Sequence, residues 1–506
     1  MSEQGRVVSP EEAYRRALAL HRNGRLDPAV TLYRRILASG AAPDGVASNL
    51  GAALCELDRA EEGLPLLEQA AADLPRAPSV QYNLASALDK AGRDAEAEAA
   101  FRRVVALEPD DTTARVRLAK LLLKRQRFAE AEAAFRRLAL DFPRHGEVLS
   151  GLGLAIHHQG RHVEALDWHA AAAAALPDSA EAHSNLGMGL LLAGRLAEAW
   201  PHMRWRMRSE ALRPKIGPRN VPKPEWDGSP LGGRTLLVHC EQGFGDNIQF
   251  LRYVARIPRG SGGGKVIVAC QQELASVFRD APGVDALAHA PAGGADQRVD
   301  LDRVPFDCQI AMLDLPAVFA TDLGTIPADI PYLIADPARI DVWRPRLDGG
   351  RFRLGLVHAG SPTHGNDKNR SLRLEMLQPL WDRPDVAAYL LHKDTPEVSF
   401  EGLVPLGPSF GDFADTAAAL QSLDLLVSVD TSVAHLAGAL GRPVWTLIPF
   451  VPDWRWLPGR DDTPWYPQMR LFRQAAPGDW DPVLARVATE LDAVLRGETA
   501  RLRPAS

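Results

Sequence analysis

Between Pro10 and Arg208 apolar residues recur every three or four positions, which predicts amphipathic helices, and the pattern itself repeats. Six blocks of 34 residues open at Pro10, Asp44, Pro78, Thr112, Gly146 and Ala180. The eighth position is small in every block (Ala17, Gly51, Ala85, Ala119, Gly153, Gly187), and so is the twentieth (Ala29, Gly63, Ala97, Ala131, Ala165, Ala199). Two antiparallel helices that cross closely need small residues there, because a larger side chain would hold the backbones apart. The twenty-fourth position is large throughout (Tyr33, Leu67, Phe101, Phe135, His169, Met203), and Pro75, Pro109, Pro143 and Pro177 fall where a second helix should stop. Each block therefore predicts a helix–turn–helix, with turns at Gly24-Arg25, Gly92-Arg93, Gly160-Arg161 and Gly194-Arg195. Stacked, the blocks predict a solenoid with a concave groove.

From Ser209 the helical period ends. Residues 209–234 are rich in proline and glycine without periodicity and read as a linker, flanked by Trp200, Trp205 and Trp226 as packing residues. Beyond it, short β-branched runs alternate with helical stretches, the pattern of a parallel α/β region. Strands are predicted near 235–240, 265–270 and 307–312, with helices near 246–257 and 272–279. After the proline-rich segment 327–337 a second set follows, with strands near 353–359, 386–392, 424–429 and 443–448 and helices near 373–381, 412–421, 432–440 and 481–496. The expected organisation is an all-α region over 1–208, a linker over 209–234, and two α/β halves over 235–345 and 346–506. Length agrees, since 506 residues correspond to roughly three domains.

Composition narrows the function classes. With 24% charged and 46% apolar residues the chain is ordinary globular material, and a net charge of −6 argues against nucleic acid as a partner. Cys55, Cys240, Cys270 and Cys308 are widely separated, so neither a disulfide framework nor a zinc site is indicated. The first residues lack the apolar core of a signal peptide, and no stretch reaches the ~18–20 apolar residues that span a bilayer. A cytoplasmic location is expected.

The 34-residue register resembles the tetratricopeptide repeat, with six copies over 10–208. The resemblance implies a right-handed solenoid that binds a protein or peptide. The sixth position of the blocks reads Arg15, Asn49, Asn83, Arg117, Gly151, Asn185. In the O-linked N-acetylglucosamine transferases, which this region resembles, groove asparagines hold the backbone of an extended substrate, since one amide both donates and accepts. Asn49, Asn83 and Asn185 match, and they equally suit an ordinary helix surface.

Candidate chemistry lies beyond the predicted strand ends, where ligands bind in open α/β sheets. After the first strand, EQGFGDNIQF (241–250) is a glycine loop entering a helix. Gly243 and Gly245 allow close backbone approach, and the helix start offers free N–H groups to an anion. Asp246 is placed either to serve as a base facing the cleft or to favour the helix dipole, with Glu241 as the substitute base. In the second half, HAGSPTHGNDKNRS (358–371) ends with Lys368 and Arg370, cations suited to a leaving diphosphate. The strongest motif is DLLVSVDTSVAHLAGALGRPVWTLIP (424–449), in which a buried strand runs into Asp430, Thr431, Ser432 and His435 at a helix start.

These steps resemble bacterial heptosyltransferases and the O-linked N-acetylglucosamine transferases, over roughly 224–474. The segment 451–474 is similar to a tetratricopeptide-repeat glycosyltransferase subgroup, although His358 and Ser361 depart from it where many members have Trp and Asn. The resemblance implies a GT-B fold of two Rossmann-like halves, the first on the acceptor side and the second on the nucleotide-sugar side. It implies inverting transfer to a protein, flagellin or another surface protein among them, with the nucleotide-sugar as substrate and no metal or other cofactor. By it, Asp246 is the base, and Lys368, Arg370, Asp430, Thr431, Ser432 and His435 hold the donor. Trp454 and Trp456 are core residues before they are stacking platforms. The alternatives are transfer to a lipid-linked glycan, for which six peptide-binding repeats would be superfluous, and a scaffold with a decayed transferase half. Asp300-Leu301-Asp302 matches a metal-binding D-x-D only by spacing, and PRGSGGGK (258–265) precedes a strand where a phosphate loop precedes a helix.

Overall fold

In the computed structural model, which describes residues 9–209, 221, 223–289, 301, 304–347, 350–393 and 400–505, the repeat register becomes paired helices. The pairs are α1 (Pro10–Arg22) with α2 (Leu26–Ala38), α3 (Val46–Glu56) with α4 (Ala60–Asp73), and α5 (Pro78–Lys90) with α6 (Asp94–Leu107). α7 (Thr112–Lys124) with α8 (Phe128–Asp141) and α9 (Gly146–His157) with α10 (His162–Ala175) continue the series. The small columns sit at the crossings. A methyl added to Gly63 would lie 2.6 Å from the Gly51 carbonyl oxygen, and one added to Gly51 would lie 2.7 Å from Leu67 Cγ. The large column fills the space beside them, with Tyr33, Leu67, Phe101 and Phe135 fully buried.

The turn inside each repeat needs one residue in the left-handed region. Gly24, Gly92, Gly160 and Gly194 supply it with φ between 70° and 78°, while Asp58 (φ 58°) and Gln126 (φ 59°) occupy the same position with a side chain. The next residue is an arginine in every repeat, and in all but the first, where Pro28 stands instead, it pairs with a glutamate three positions on, as in Arg93–Glu96 and Arg161–Glu164. Two further glutamates are buried in this ladder. Burial of Glu98 would raise its carboxyl pKa, but Arg127, Arg102 and Arg125 outweigh it and hold the group below the ordinary carboxylate range.

The compact units divide at Pro177, not at 208. The sixth repeat, α11 (Ala180–Leu192) and α12 (Leu196–Met203), belongs with the α/β region. The reason is chemical: Trp200 is buried and donates its Nε1–H to the Thr321 carbonyl at 2.8 Å, and Arg206 reaches Glu241 and Asp314. This repeat therefore carries an apolar and cationic face made for the strands that follow.

Within that second unit the chain runs β1 (Thr235–His239), α13 (Phe244–Phe250), β2 (Lys265–Cys270), α14 (Gln272–Phe278), β3 (Ala286–His289), β4 (Cys308–Ala311) and α15 (Leu315–Val318). All pairs are parallel, in the order β3-β2-β1-β4. There follow α16 (Pro337–Trp343), β5 (Phe352–Val357), α17 (Asp367–Arg370), α18 (Gln378–Trp381), β6 (Val386–Leu390) and β7 (Leu403–Pro405). α19 (Phe413–Ser422), β8 (Leu425–Val429), α20 (Ser432–Ala439), β9 (Val444–Ile448), β10 (Met469–Arg473) and α21 (Asp481–Leu495) complete it. The second sheet is again parallel, ordered β10-β9-β8-β5-β6-β7. Its central strands β6, β8 and β9 are buried at every residue, as strands covered on both faces must be.

Three strands have no counterpart in the sequence reading: β3, β7 and β10. All three are sheet edges. An edge strand is short or carries polar residues, as β10 does with Arg470 and Arg473, so it lacks the apolar run that marks a central one. The helix expected over 246–257 is α13 followed by a tighter 3₁₀ segment, Leu251–Arg256, and that near 373–381 divides likewise into Leu374–Leu377 and α18.

Candidate active site at the facing strand ends

In each sheet the strand order reverses beside the first strand of its half, between β1 and β4 and between β5 and β8. Crevices for ligands open beyond the carboxyl ends of strands at such reversals. The loops after β1, β5 and β8 carry the residues singled out by sequence, and within this unit α13 packs against the start of α20. Gly245 permits the approach, because a methyl there would fall 2.8 Å from His435 Cδ2 and 3.5 Å from Ser432 Cα. The close approach expected of the glycine loop is thus to a protein helix. Gly243 is the N-cap of α13.

Asp246 sits on the first turn of α13 with both oxygens engaged. Oδ2 accepts the Gly243 N–H at 3.0 Å, and Oδ1 pairs with the Arg455 guanidinium. Arg455 is buried and also donates to Asp453 Oδ1 at 2.9 Å and to Gln249 Oε1. Glu241 is elsewhere: its fully buried carboxylate is clamped by Arg206, which also donates to Asp314 at 2.8 Å. The substitute base therefore faces protein, held by a structural ion triad.

The second half supplies the rest. Thr431 is the N-cap of α20, its hydroxyl 3.2 Å from that of Ser428, and Ser432 opens the helix. His435 is buried, with Nδ1 3.0 Å from the Tyr466 hydroxyl, Nε2 3.8 Å from Asp430 Oδ1, and its ring stacked on Trp456. Burial, reinforced by Arg455, Arg252 and Arg370, pushes its pKa well down, so the imidazole is neutral at pH 7. Burial and the charge of Asp453 raise Asp430 to about 6, against the pull of Trp456, Arg370 and Arg455.

Arg370 reaches from α17 to the Asp430 carbonyl at 2.8 Å and to Asp367 at 3.3 Å. Ser371 folds the same loop by accepting the Gly360 N–H and donating to Asp367. Lys368 is exposed on α17. The site accordingly gathers Asp246, Arg370, Asp430, Thr431, Ser432 and His435 and adds Arg455, which sequence reasoning missed. The available signal was a charged residue between two tryptophans, Trp454 and Trp456, both buried, directly after a central strand. Gln249 Nε2, fully buried beside Arg455, has no acceptor. His358 lies against His392 and is held at about 4 by burial.

In the first unit Asn49 donates to the Tyr14 hydroxyl at 2.6 Å, and Asn83 to Ser48 at 3.0 Å and to Asn49 Oδ1 at 3.4 Å. Two of the three groove asparagines thus bridge successive repeats, while Asn185 stands on α11 in the second unit. Asp300 and Asp302 lie outside the described residues. Among the described residues no helix is long and apolar enough to cross a membrane.

Residues 116–180 match one tetratricopeptide repeat family profile and residues 78–121 another. The chain contains tetratricopeptide repeats. Protein FlbA of Caulobacter vibrioides is 28% identical over 320 residues, 59% of this chain and 52% of FlbA, so the chain spans about half the length of that relative. Among solved structures, MamA from Desulfovibrio magneticus RS-1 aligns with a TM-score of 0.31 and 21% identity, covering 33% of this chain and 95% of MamA. A tetratricopeptide repeat protein from Parabacteroides merdae aligns with a TM-score of 0.35 and 15% identity over 39% of this chain and 79% of its own.

Proposed function

We propose that the chain is a glycosyltransferase of the GT-B type that moves a sugar from a nucleotide-sugar to a protein recruited by its tetratricopeptide repeats. One observation carries the reading. The carboxylate-bearing loop after the first strand of one parallel sheet meets, through Gly245, the hydroxyl-rich helix start and cations after the reversal strands of the other. A donor laid across α20 would set its diphosphate against the first N–H groups of that helix, the Thr431 and Ser432 hydroxyls, Arg370 and Lys368. His435 and Asp430 stand beside it. In the transfer the acceptor hydroxyl attacks the anomeric carbon, its proton passes to Asp246, and the nucleoside diphosphate leaves with the bonding pair. Arg455 links the two events: the guanidinium that now holds Asp246 moves to the anionic leaving group and frees the carboxylate to accept the proton.

The repeats support a protein as partner. The test is a thermal-shift panel of nucleotide-sugars with the full chain. One donor present at a hundredfold excess over its Kd should stabilise the protein by about 2.7 kcal/mol, and Arg370→Ala should abolish that gain. A panel in which no donor shifts the transition would sink the proposal.

A further inference from the structure

Four of the chain's 14 histidines, His157, His158, His162 and His169, belong to the fifth repeat, and its helix pair gathers them. The His157 ring lies 4.8 Å from that of His162, 5.5 Å from that of His158 and 6.3 Å from that of His169, and Phe128 stacks on His158 at 4.7 Å. His169 stands in the column that Tyr33, Phe101 and Phe135 fill in other repeats. It is 2% exposed, with its ring laid against α9 where Gly153 has no side chain. The Nδ1 atoms of His162 and His169 are buried without a hydrogen-bond partner. A neutral ring is tolerated in such a place, whereas a second proton would create a buried cation with nothing to answer it.

The acids on the helices packed here are already matched. On α8, Glu132 takes Arg136 and Arg161, Glu130 takes Arg127, and Asp141 takes Arg115. Glu147 of α9 takes Lys120 of α7, and Glu164 of α10 takes Arg136 and Arg161, while Asp167 is exposed. The other charged side chains of α7 and α8, Arg117, Lys124 and Arg137, are cations and oppose a further one. The carboxyl end of α9 favours positive charge at His157, but burial outweighs it. Burial, then the neighbouring imidazoles, hold His157 at about 3, and burial with His158 holds His169 at about 4. Burial lowers His158 and His162 as well.

An imidazole released from the cluster returns to the ordinary 6.5. The folded repeat binds fewer protons than the open one, so its stability is full above pH 6.5 and is lost as pH falls from there toward the folded values. Counting His157 and His169 alone, opening becomes about 10³-fold more favourable between pH 7.5 and pH 5. The lowered carboxyls of Glu132, Glu147 and Glu164 act chiefly below their ordinary 4.5, which leaves this window to the histidines.

We infer that the fifth repeat is an acid-responsive segment: in mild acid α9 and α10 open together, the released imidazoles are trapped by protons, and the repeat array of the first unit loses the face that α9 contributes.

The test is hydrogen exchange of the full chain, read by mass spectrometry at pH 7.5 and pH 5 with exchange times scaled to the intrinsic rate. Protection over α9 and α10 should fall about 10³-fold, while that over α5 and α6, which carry no histidine, should change less than about threefold. His169→Phe, which installs the residue of the third and fourth repeats, and His157→Leu should each cut the fall about thirtyfold. Equal falls in the two repeats of the parent chain, or an undiminished fall in either variant, would overturn the inference. No nucleotide-sugar or acceptor enters the experiment, so its outcome is independent of the donor site.

Discussion

Asp430 offers a direct check on the electrostatics of the candidate site. Its carboxyl is raised from 3.8 to about 6, chiefly by burial and secondly by Asp453. A raised acid is better protonated in the folded chain than in the unfolded one, so its contribution to stability is full below pH 3.8 and is lost as pH rises through about 6. The difference corresponds to about 3 kcal/mol withheld at neutral pH. Asp430→Asn keeps the shape and removes the ionisation. At pH 7.5 it should stabilise the C-terminal unit by up to about 3 kcal/mol, some 5 °C for a unit of this size. Near pH 4.5, where the native carboxyl is already mostly protonated, the advantage should shrink below about 1 kcal/mol. Scanning calorimetry of both proteins at the two pH values reads this out. A variant no more stable than the parent at pH 7.5, or one equally favoured at both, would refute the reasoning. A carboxylate kept ionised against stability is the pattern of a functional site.

Three further outcomes follow from the packing. Gly63→Ala places a methyl 2.6 Å from the Gly51 carbonyl oxygen and Cys55 Sγ, and should cost the first unit about 2 kcal/mol in urea unfolding. Gln126→Gly relieves a left-handed φ of 59°, and, after the added freedom of the unfolded chain, should raise stability by about 0.5 kcal/mol; Gly92→Gln should lower it by about 1 kcal/mol. Arg206→Met leaves Glu241 and Asp314 buried without a counter-ion and should destabilise the second unit by about 3–5 kcal/mol in thermal denaturation, with partial rescue by the double change to Glu241→Gln and Asp314→Asn.

The repeats were legible because their chemistry is periodic: small residues at two columns and a large one at a third are demanded by every helix crossing, so six weak matches agree. Central strands were legible for a similar reason, since burial on both faces leaves an unbroken apolar run in β6, β8 and β9. What escaped was non-local. Edge strands β3, β7 and β10 are defined by the neighbour they pair with, and Arg206 reads as one more charged residue until Glu241, 35 positions away, is seen to face it. The same holds at the site. Asp246, Asp430 and His435 stand next to recognisable strand–helix steps, whereas Arg455 gains its role only from Asp246, 209 positions earlier in the chain.

The central claim is that Asp246 and the α20 helix start form one transferase site. Its most direct measurement is release of nucleoside diphosphate, followed by liquid chromatography and mass spectrometry, from the donor that stabilises the protein in the presence of its acceptor. The account predicts steady release by the parent chain and a rate about 10²–10⁴ lower for Asp246→Asn, with donor stabilisation retained. Equal rates in the two proteins would contradict it.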